Sequence, residues 1–454
     1  MIEMHTYQRD GQFLVVVDHI PQWFIVDDIG HKIVTGILAG RSLNSICHLF
    51  REDLRKEVKK TYQALKPLIT QEVDRTLPMV ENALTTKTTV AMISVTRNCN
   101  LKSICPHCYV DATGSRDTEL TVDDHHQLAG ELRACLATGK HVYKVNLTGG
   151  EPFIRKDILK IIRAYHGAGF QINMSTNGML ILKRNMGELS DMNVTLSVSL
   201  DGSTVETHDR IRGHGSWLRV VSTIRELVNS GIRVGINFLV HKGNFHEFES
   251  VITFAHELGC SGFNPINLVQ LGRACDSGLQ RVSEVEIFQR LIRHLKLHPE
   301  QKNLFAASSL FSSLGSALLA GITCESCGVG NRPCVYIDEV GSVYPCPNTQ
   351  RPEFCLGNIR QQSLVDCVHL DHPVLKTLRG LQVSTLNSKC SQCDVRYFCG
   401  GDCRGETYNV TGDLYSPYVA CQDRHNSIIE LMWIVAENEE LFEGRAEEYI
   451  INLH

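Results

Sequence analysis

Val90-Ala-Met-Ile-Ser-Val95 runs through Thr96-Arg-Asn into Cys99-Asn-Leu-Lys-Ser-Ile-Cys105-Pro-His-Cys108-Tyr109, and the fold turns on this stretch. Its first six residues, apolar or hydroxyl-bearing, read as a buried strand. The loop that follows carries three cysteines. Thiolate is the usual protein ligand of iron-sulfur clusters and also serves zinc. A structural zinc site takes four ligands, and no obvious fourth lies nearby.

The same strand-then-motif pattern recurs downstream. Val142-Tyr-Lys-Val-Asn-Leu147 leads into Thr148-Gly-Gly-Glu-Pro-Phe153, and Phe170-Gln-Ile-Asn-Met-Ser175 ends at Thr176-Asn-Gly178. Val194-Thr-Leu-Ser-Val-Ser-Leu200 ends at Asp201-Gly202, and further strands are expected over 232–240 and 263–268. Helical patterns separate them at 121–136, up to 164, 218–229 and 246–258. Repeated strand-helix units imply a parallel sheet with right-handed crossovers. About six units predict an α/β fold built on a partial (β/α)6 barrel rather than a closed eight-stranded one. Every motif falls just after a strand, where barrel active sites collect their residues.

Composition bounds the function. With 454 residues, 43% of them hydrophobic and 21% charged, the chain has enough material for several domains. A formal net charge of -5 and no long Lys/Arg run argue against nucleic acid as a partner. No apolar stretch reaches the roughly 18 residues of a membrane span. Met1-Ile-Glu-Met-His-Thr-Tyr7 does not read as a secretory signal, so the expected location is cytoplasmic. In that compartment cysteines read as metal ligands rather than disulfides. Eleven of the 18 lie between Cys324 and Cys421, which predicts a metal-bearing C-terminal domain.

Within that domain Cys327, Gly341 and Cys346 are spaced C-x13-G-x4-C, and Cys390, Cys393, Cys399 and Cys403 are spaced C-x2-C-x5-C-x3-C, with Cys421 after a gap. A pair of zinc ribbons is one reading of such knuckles. At the other end, Gln12-Phe-Leu-Val-Val-Val-Asp18 and Gln22-Trp-Phe-Ile-Val-Asp27 read as two strands. Three helices are expected after them, with Ile33, Ile37 and Leu38 on one face of the first, Ser42 or Asn44 capping the second, and Arg51 to Leu68 forming the third.

Taken in order, the cysteine loop, Gly149-Gly-Glu-Pro152, Thr176-Asn-Gly178 and Ser199-Leu-Asp-Gly202, with His208-Asp209 and Arg212-Gly213 beyond, resemble the motifs of radical S-adenosylmethionine (SAM) enzymes. The resemblance implies that Cys99, Cys105 and Cys108 hold a [4Fe-4S] cluster with one iron open to SAM, although five residues separate Cys99 from Cys105 where the family commonly has three. It implies that Gly149, Gly150, Glu151 and Pro152 hold the SAM amino group, that Ser199 and Arg212 receive its carboxylate beside Asp201, and that His107 packs against adenine. Gly272-Arg-Ala274 is similar to the sequence that ends the barrel in these enzymes.

The C-terminal cysteines resemble the SPASM domain. That resemblance implies two auxiliary [4Fe-4S] clusters, one on Cys390, Cys393, Cys399 and Cys421, the other on Cys327, Cys346, Cys403 and an upstream ligand. Cys324 is the expected choice for the last, with Cys334 and Cys355 as rivals. The N-terminal pattern resembles the PqqD-like RiPP recognition element, a small winged-helix-like α+β module that captures the leader of a ribosomal precursor peptide.

The expected domains are therefore 1–80 for this module, 85–280 for the barrel, 281–319 for a helical linker, 320–425 for the SPASM domain and 426–454 for a C-terminal helix. The expected function is oxidative modification of a precursor peptide, by thioether or carbon-carbon crosslinking, with an external reductant such as flavodoxin or ferredoxin. No residue is singled out as a catalytic base. A radical SAM enzyme that matures a protein residue or modifies a haem or other small molecule is the alternative, and a non-enzymatic electron carrier a more distant one.

Overall fold

The computed structural model describes residues 4–17, 22–70, 90–114, 118–137, 144–305, 324–327, 329, 334–369, 371–438 and 441. Its N-terminal part is a three-stranded antiparallel sheet of β1 (Met4–Arg9), β2 (Gln12–Val17) and β3 (Gln22–Val26), in that order, followed by helices α1 (Asp28–Leu38), α2 (Leu43–Cys47) and α3 (Arg55–Thr70). Asp27 caps α1 by accepting the Gly30 N–H at 2.7 Å, and Ser42 caps α2 through the Ser45 N–H at 3.3 Å. β1 was not expected: Met4-His-Thr-Tyr-Gln-Arg9 has too few apolar residues to read as a strand, and its pairing with β2 makes it one.

β2 has no exposed face, which explains its unbroken run Phe13-Leu-Val-Val-Val17. Val15 and Val17 pack into a core with Ile33, Val34, Val58 and Ile69 of the module's helices. Leu14 and Val16 belong to the main core of the molecule, with Tyr7, Trp23 and Ile25 packed against it. The module is thus seated on the body of the protein.

The body is built from β4 (Val90–Thr96), β5 (Lys144–Gly149), β6 (Gln171–Thr176), β7 (Thr195–Ser199), β8 (Val234–Val240) and β9 (Gly262–Asn267), all parallel and adjacent in chain order. Helices α4 (Val122–Ala137), α5 (Ile158–Gly167), α6 (Lys183–Asp191), α7 (Val205–Arg212), α8 (Ser216–Asn229) and α9 (Phe248–Glu257) connect them, and α10 (Glu284–Leu297) follows β9. This is the expected six-unit arrangement. Of the expected linker over 281–319, α10 is helix and residues 306–319 lie outside the described residues.

The cysteine-rich part does more than follow the barrel. Its strand β10 (Val335–Ile337) pairs in parallel with β4, placing Val335 opposite Ala91, and β11 (Ser342–Tyr344) and β12 (Gly357–Asn358) continue the sheet antiparallel to nine strands. Helix α11 (Cys421–Glu437) packs on α10 and buries Ile428, Leu431, Met432, Trp433 and Val435.

Candidate functional site

The loop after β4 closes its wide cysteine spacing with one helical turn. The Leu101 carbonyl accepts both the Ile104 and the Cys105 N–H at 3.0 Å, and the Leu101 side chain is buried. The turn returns Cys105 towards Cys99, and all three cysteines face one cavity of about 420 Å³. Backbone N–H groups point at two of the sulfurs, Leu101 at Cys99 and Ala112 at Cys108, each at 3.3 Å. Burial pushes the Cys99 thiol up to about 11, with Glu151 and the other two cysteines adding to it. A bound cation would reverse that preference and make these groups thiolates.

Neighbouring loops clamp this turn. Gly150 N–H donates to Thr96 O at 2.7 Å and Glu151 N–H to Asn98 O at 2.8 Å. A Cβ on Gly149 would lie 2.3 Å from Thr96 O, and one on Gly150 2.1 Å from Asn98 O. The two glycines are therefore required by the chain's own backbone. From the other side, Arg273 donates to Cys105 O at 3.2 Å and Ala112 O at 2.7 Å, and a Cβ on Gly272 would meet Cys108 O at 2.4 Å.

Gly149, Gly150, His107, Ser199 and Arg212 line the cavity with the cysteines, as expected; Glu151, Pro152 and Asp201 do not. Glu151 is fully buried, and its carboxylate accepts the Phe153 N–H at 3.1 Å, the Thr176 hydroxyl at 2.7 Å and the Asn177 N–H at 2.7 Å. Its side chain ties the β5 loop to the β6 loop. Pro152 is buried at the start of a short turn, Pro152–Ile154. Thr176 and Asn177, read as part of an ordered motif but given no role, do face the cavity.

Asp201 stands behind Arg212. Its Oδ2 accepts Arg212 Nε at 2.6 Å, and its Oδ1 accepts the Leu239 N–H at 3.0 Å. Burial pushes the Asp201 carboxyl up, but Arg212, His107 and His208 outweigh it and hold it at about 2. Arg212 Nη2 lies 3.3 Å from His107 Nε2, which is 3.4 Å from Cys105 Sγ. Burial, then the Arg212 charge, push His107 down to about 4, so its ring is neutral near pH 7. Arg212 thus presents a fixed positive charge to the cavity, beside the cysteines, in a fork suited to a carboxylate.

Cys390, Cys393, Cys399 and Cys421 line a second cavity of about 160 Å³, together with Val383, Val395, Tyr418 and His425. Burial pushes Cys399 up to about 12. A third group gathers at Cys346, whose thiol is raised by burial and by the nearby Cys327, Cys403 and Cys334. Cys403 is held by N–H donors from Asn348 at 3.3 Å and Glu406 at 3.4 Å. The expected Cys324 sits beside a neighbouring turn. It is exposed and packs at the Cys399–Gly400 turn, where its Cβ lies 2.8 Å from a Cβ built on Gly400 and its N–H donates to Tyr397 O at 2.6 Å. Cys355 instead donates to Gly357 O at 3.4 Å, near Cys367. Cys334, a rival for that place, is buried and pushed up to about 11, and it lies near Cys346. Groups of buried cysteines at these two places suit an iron-sulfur cluster, because a cation offsets the cost of burying thiolates.

The comparisons agree with this chemistry. The Radical SAM superfamily matches residues 93–255, and SPASM, an iron-sulfur cluster-binding domain, matches 327–394. The chain is 28% identical over 347 residues to an AdoMet-dependent heme synthase of Methanosarcina barkeri, covering 72% of this chain and 94% of that protein. It is 27% identical over 337 residues to mycofactocin maturase MftC of Mycobacterium ulcerans, covering 72% and 86%. Streptococcus suis SuiB, solved with its precursor peptide SuiA, shares the fold with a TM-score of 0.60 at 16% identity, over 93% of this chain and 99% of that one. SAM and [4Fe-4S] clusters are the cofactors that go with these two domains. The chain is a radical SAM enzyme with a SPASM domain.

Proposed function

We propose that the protein is a maturase that oxidatively modifies a ribosomally made precursor peptide. The N-terminal module carries this reading: it lies outside both matched families, yet it packs on the body of the enzyme and joins the cysteine-rich domain. Among the described residues β3 pairs only with β2, so one sheet edge is open to an added strand. We assign residues 1–80 to leader capture, 85–280 to the barrel, 320–425 to the SPASM domain and 426–454 to a C-terminal docking segment, of which 439–440 and 442–454 lie outside the described residues, with residues 281–319 linking barrel and SPASM domain.

In this reading Cys99, Cys105 and Cys108 hold the SAM-binding cluster. Cys390, Cys393, Cys399 and Cys421 hold one auxiliary cluster, and Cys327, Cys334, Cys346 and Cys403 the other. When bound and reduced by an external flavodoxin or ferredoxin, SAM and its cluster supply a 5'-deoxyadenosyl radical that removes a hydrogen atom from the substrate. The chain orients the reactants. Arg212, braced by Asp201, and Ser199 face the SAM carboxylate, and His107 stays uncharged beside Cys105. The eight C-terminal thiols place electron acceptors next to the barrel, which makes a net oxidation feasible.

The test is co-expression with short peptides encoded beside the gene, read by mass spectrometry. Loss of two hydrogen atoms from one of them supports the proposal; unchanged masses throughout count against it. A second reading, modification of a haem or another small molecule, is favoured by the heme synthase relative. It requires no leader capture, so removing residues 1–80 would leave its turnover intact.

A further inference from the structure

The interior of the barrel carries carboxamides where a barrel ordinarily packs branched apolar side chains. Asn146 of β5 sits opposite Asn173 of β6, and Asn237 of β8 opposite Asn264 of β9. All four line the 420 Å³ cavity, with Ser197 of β7 between the pairs and Asn267 at the end of β9. Asn264 Nδ2 donates to Asn237 Oδ1 at 3.3 Å, and Ser197 Oγ to Asn173 Oδ1 at 3.3 Å. Asn146 Oδ1 and both polar atoms of Asn267 are shielded from solvent and have no hydrogen-bond partner among the described residues.

An unpartnered buried amide atom costs about 1–3 kcal/mol, so several together mark a surface awaiting a ligand that completes them. A carboxamide offers one donor group and one acceptor, the pattern of a peptide bond. Among the described residues the wall has no carboxylate. Of its two guanidinium groups, Arg212, braced by Asp201, is the one given above to the SAM carboxylate, and Arg273 is held by Asp111 and the backbone of Cys105 and Ala112. A ligand rich in carboxylates would find no additional cation here, whereas neutral amides would find donors and acceptors on four strands.

We propose that Asn146, Asn173, Asn237 and Asn264 bind the reacting segment of the substrate through uncharged amide groups, main-chain or side-chain. The segment is thereby selected for lacking charge where it enters the barrel. This rests on the peptide reading above and adds the chemistry of the part that reacts.

The test uses the full chain with its cofactors reconstituted and two probes in saturation-transfer NMR: acetyl-triglycine amide, which is neutral, and a porphyrin tetracarboxylate. The wild type is expected to bind the blocked peptide and not the porphyrin. An Asn146→Leu/Asn237→Leu double variant, with iron content and thermal midpoint showing an intact fold, is expected to lose the peptide signal. Asn237→Asp, of the same shape but without the N–H donors, is expected to weaken it and serves if the double variant does not fold. Peptide binding unchanged in the folded variants, or porphyrin bound in place of peptide by the wild type, overturns the inference. If no co-expressed peptide changes mass while the blocked peptide still binds through these asparagines, the maturase reading fails and neutral-amide recognition stands.

Discussion

The Tyr7 hydroxyl in β1 donates a hydrogen bond to the Asp394 carboxylate, 387 positions along the chain. Asp394 follows Cys393 directly, and its other oxygen lies 2.8 Å from His425 Nε2, on the wall of the Cys390, Cys393, Cys399 and Cys421 cavity. Two residues further, on the same face of β1, Arg9 pairs with Glu430 at 2.5 Å and lies 4.9 Å from the centre of the Trp433 ring. The N-terminal sheet is therefore anchored to the elements that carry this cysteine-lined cavity.

Tyr7→Phe keeps the ring and removes the donor to a charged acceptor. Hydrogen bonds to charged groups contribute about 1.5–3 kcal/mol, and the half-buried setting of Tyr7 places its loss at about 1.5 kcal/mol. Thermal unfolding is expected at a lower midpoint, with faster proteolysis of the N-terminal module and unaltered iron content. An unchanged melting profile would show that Tyr7 does not anchor the module.

Asp201→Asn removes the partner of a buried guanidinium while preserving shape. Breaking such a pair costs about 3 kcal/mol and leaves Arg212 free to turn in the cavity, so SAM affinity is also expected to fall. The sign of the pH dependence follows from the depressed carboxyl. Asp201 lies near 2 when folded and near 3.9 when unfolded, so its contribution is complete above pH 4 and is lost as pH falls through 2. Urea unfolding of wild type and variant from pH 6 downward should show a constant gap that narrows below pH 4. A gap that widens with acid contradicts the assignment.

Cys334→Ser is expected to lower iron by about four atoms per chain, as is Cys346→Ser, whereas Cys324→Ser is expected to leave iron content unchanged. The opposite ranking of Cys324 and Cys334 would return the eighth ligand to Cys324.

Gly150→Ala places a methyl 2.1 Å from Asn98 O, in backbone that has little room to yield. Displacing the segment before Cys99 is expected to cost about 3 kcal/mol and to reduce iron at the first site. Iron analysis with thermal unfolding checks both. Normal iron at a normal melting midpoint would mean that the loop relaxes.

The order of strands and motif loops was readable because each strand is a local apolar run and each loop a local cluster of special residues. Ser199, Asp201, His208, Asp209 and Arg212 were legible as one motif; the structure joins Asp201, His208 and Arg212 by hydrogen bonds, and Asp209 instead holds Gly215, Ser216 and Trp217 at the start of α8. Cys334 was read only as a rival of Cys324 because its spacing to Cys327 and Cys346 matches no local pattern. Its neighbours are decided by the pairing of β10 with β4, a contact across more than half the chain. The orientation of Glu151 was hidden for a similar reason, since its acceptors' partners lie on the β6 loop.

By itself the sequence determined that Asn146, Asn173, Asn237 and Asn264 alternate with buried apolar neighbours such as Val145, Leu147, Ile172, Met174, Ile236 and Phe238. Period-two alternation says that a strand has one apolar and one polar face, and it does not say which face meets solvent. Tertiary structure decided that. Connecting helices cover the outside of a parallel sheet and take its apolar face, so the polar face turns inward and lines the cavity beside Cys99, Cys105 and Cys108.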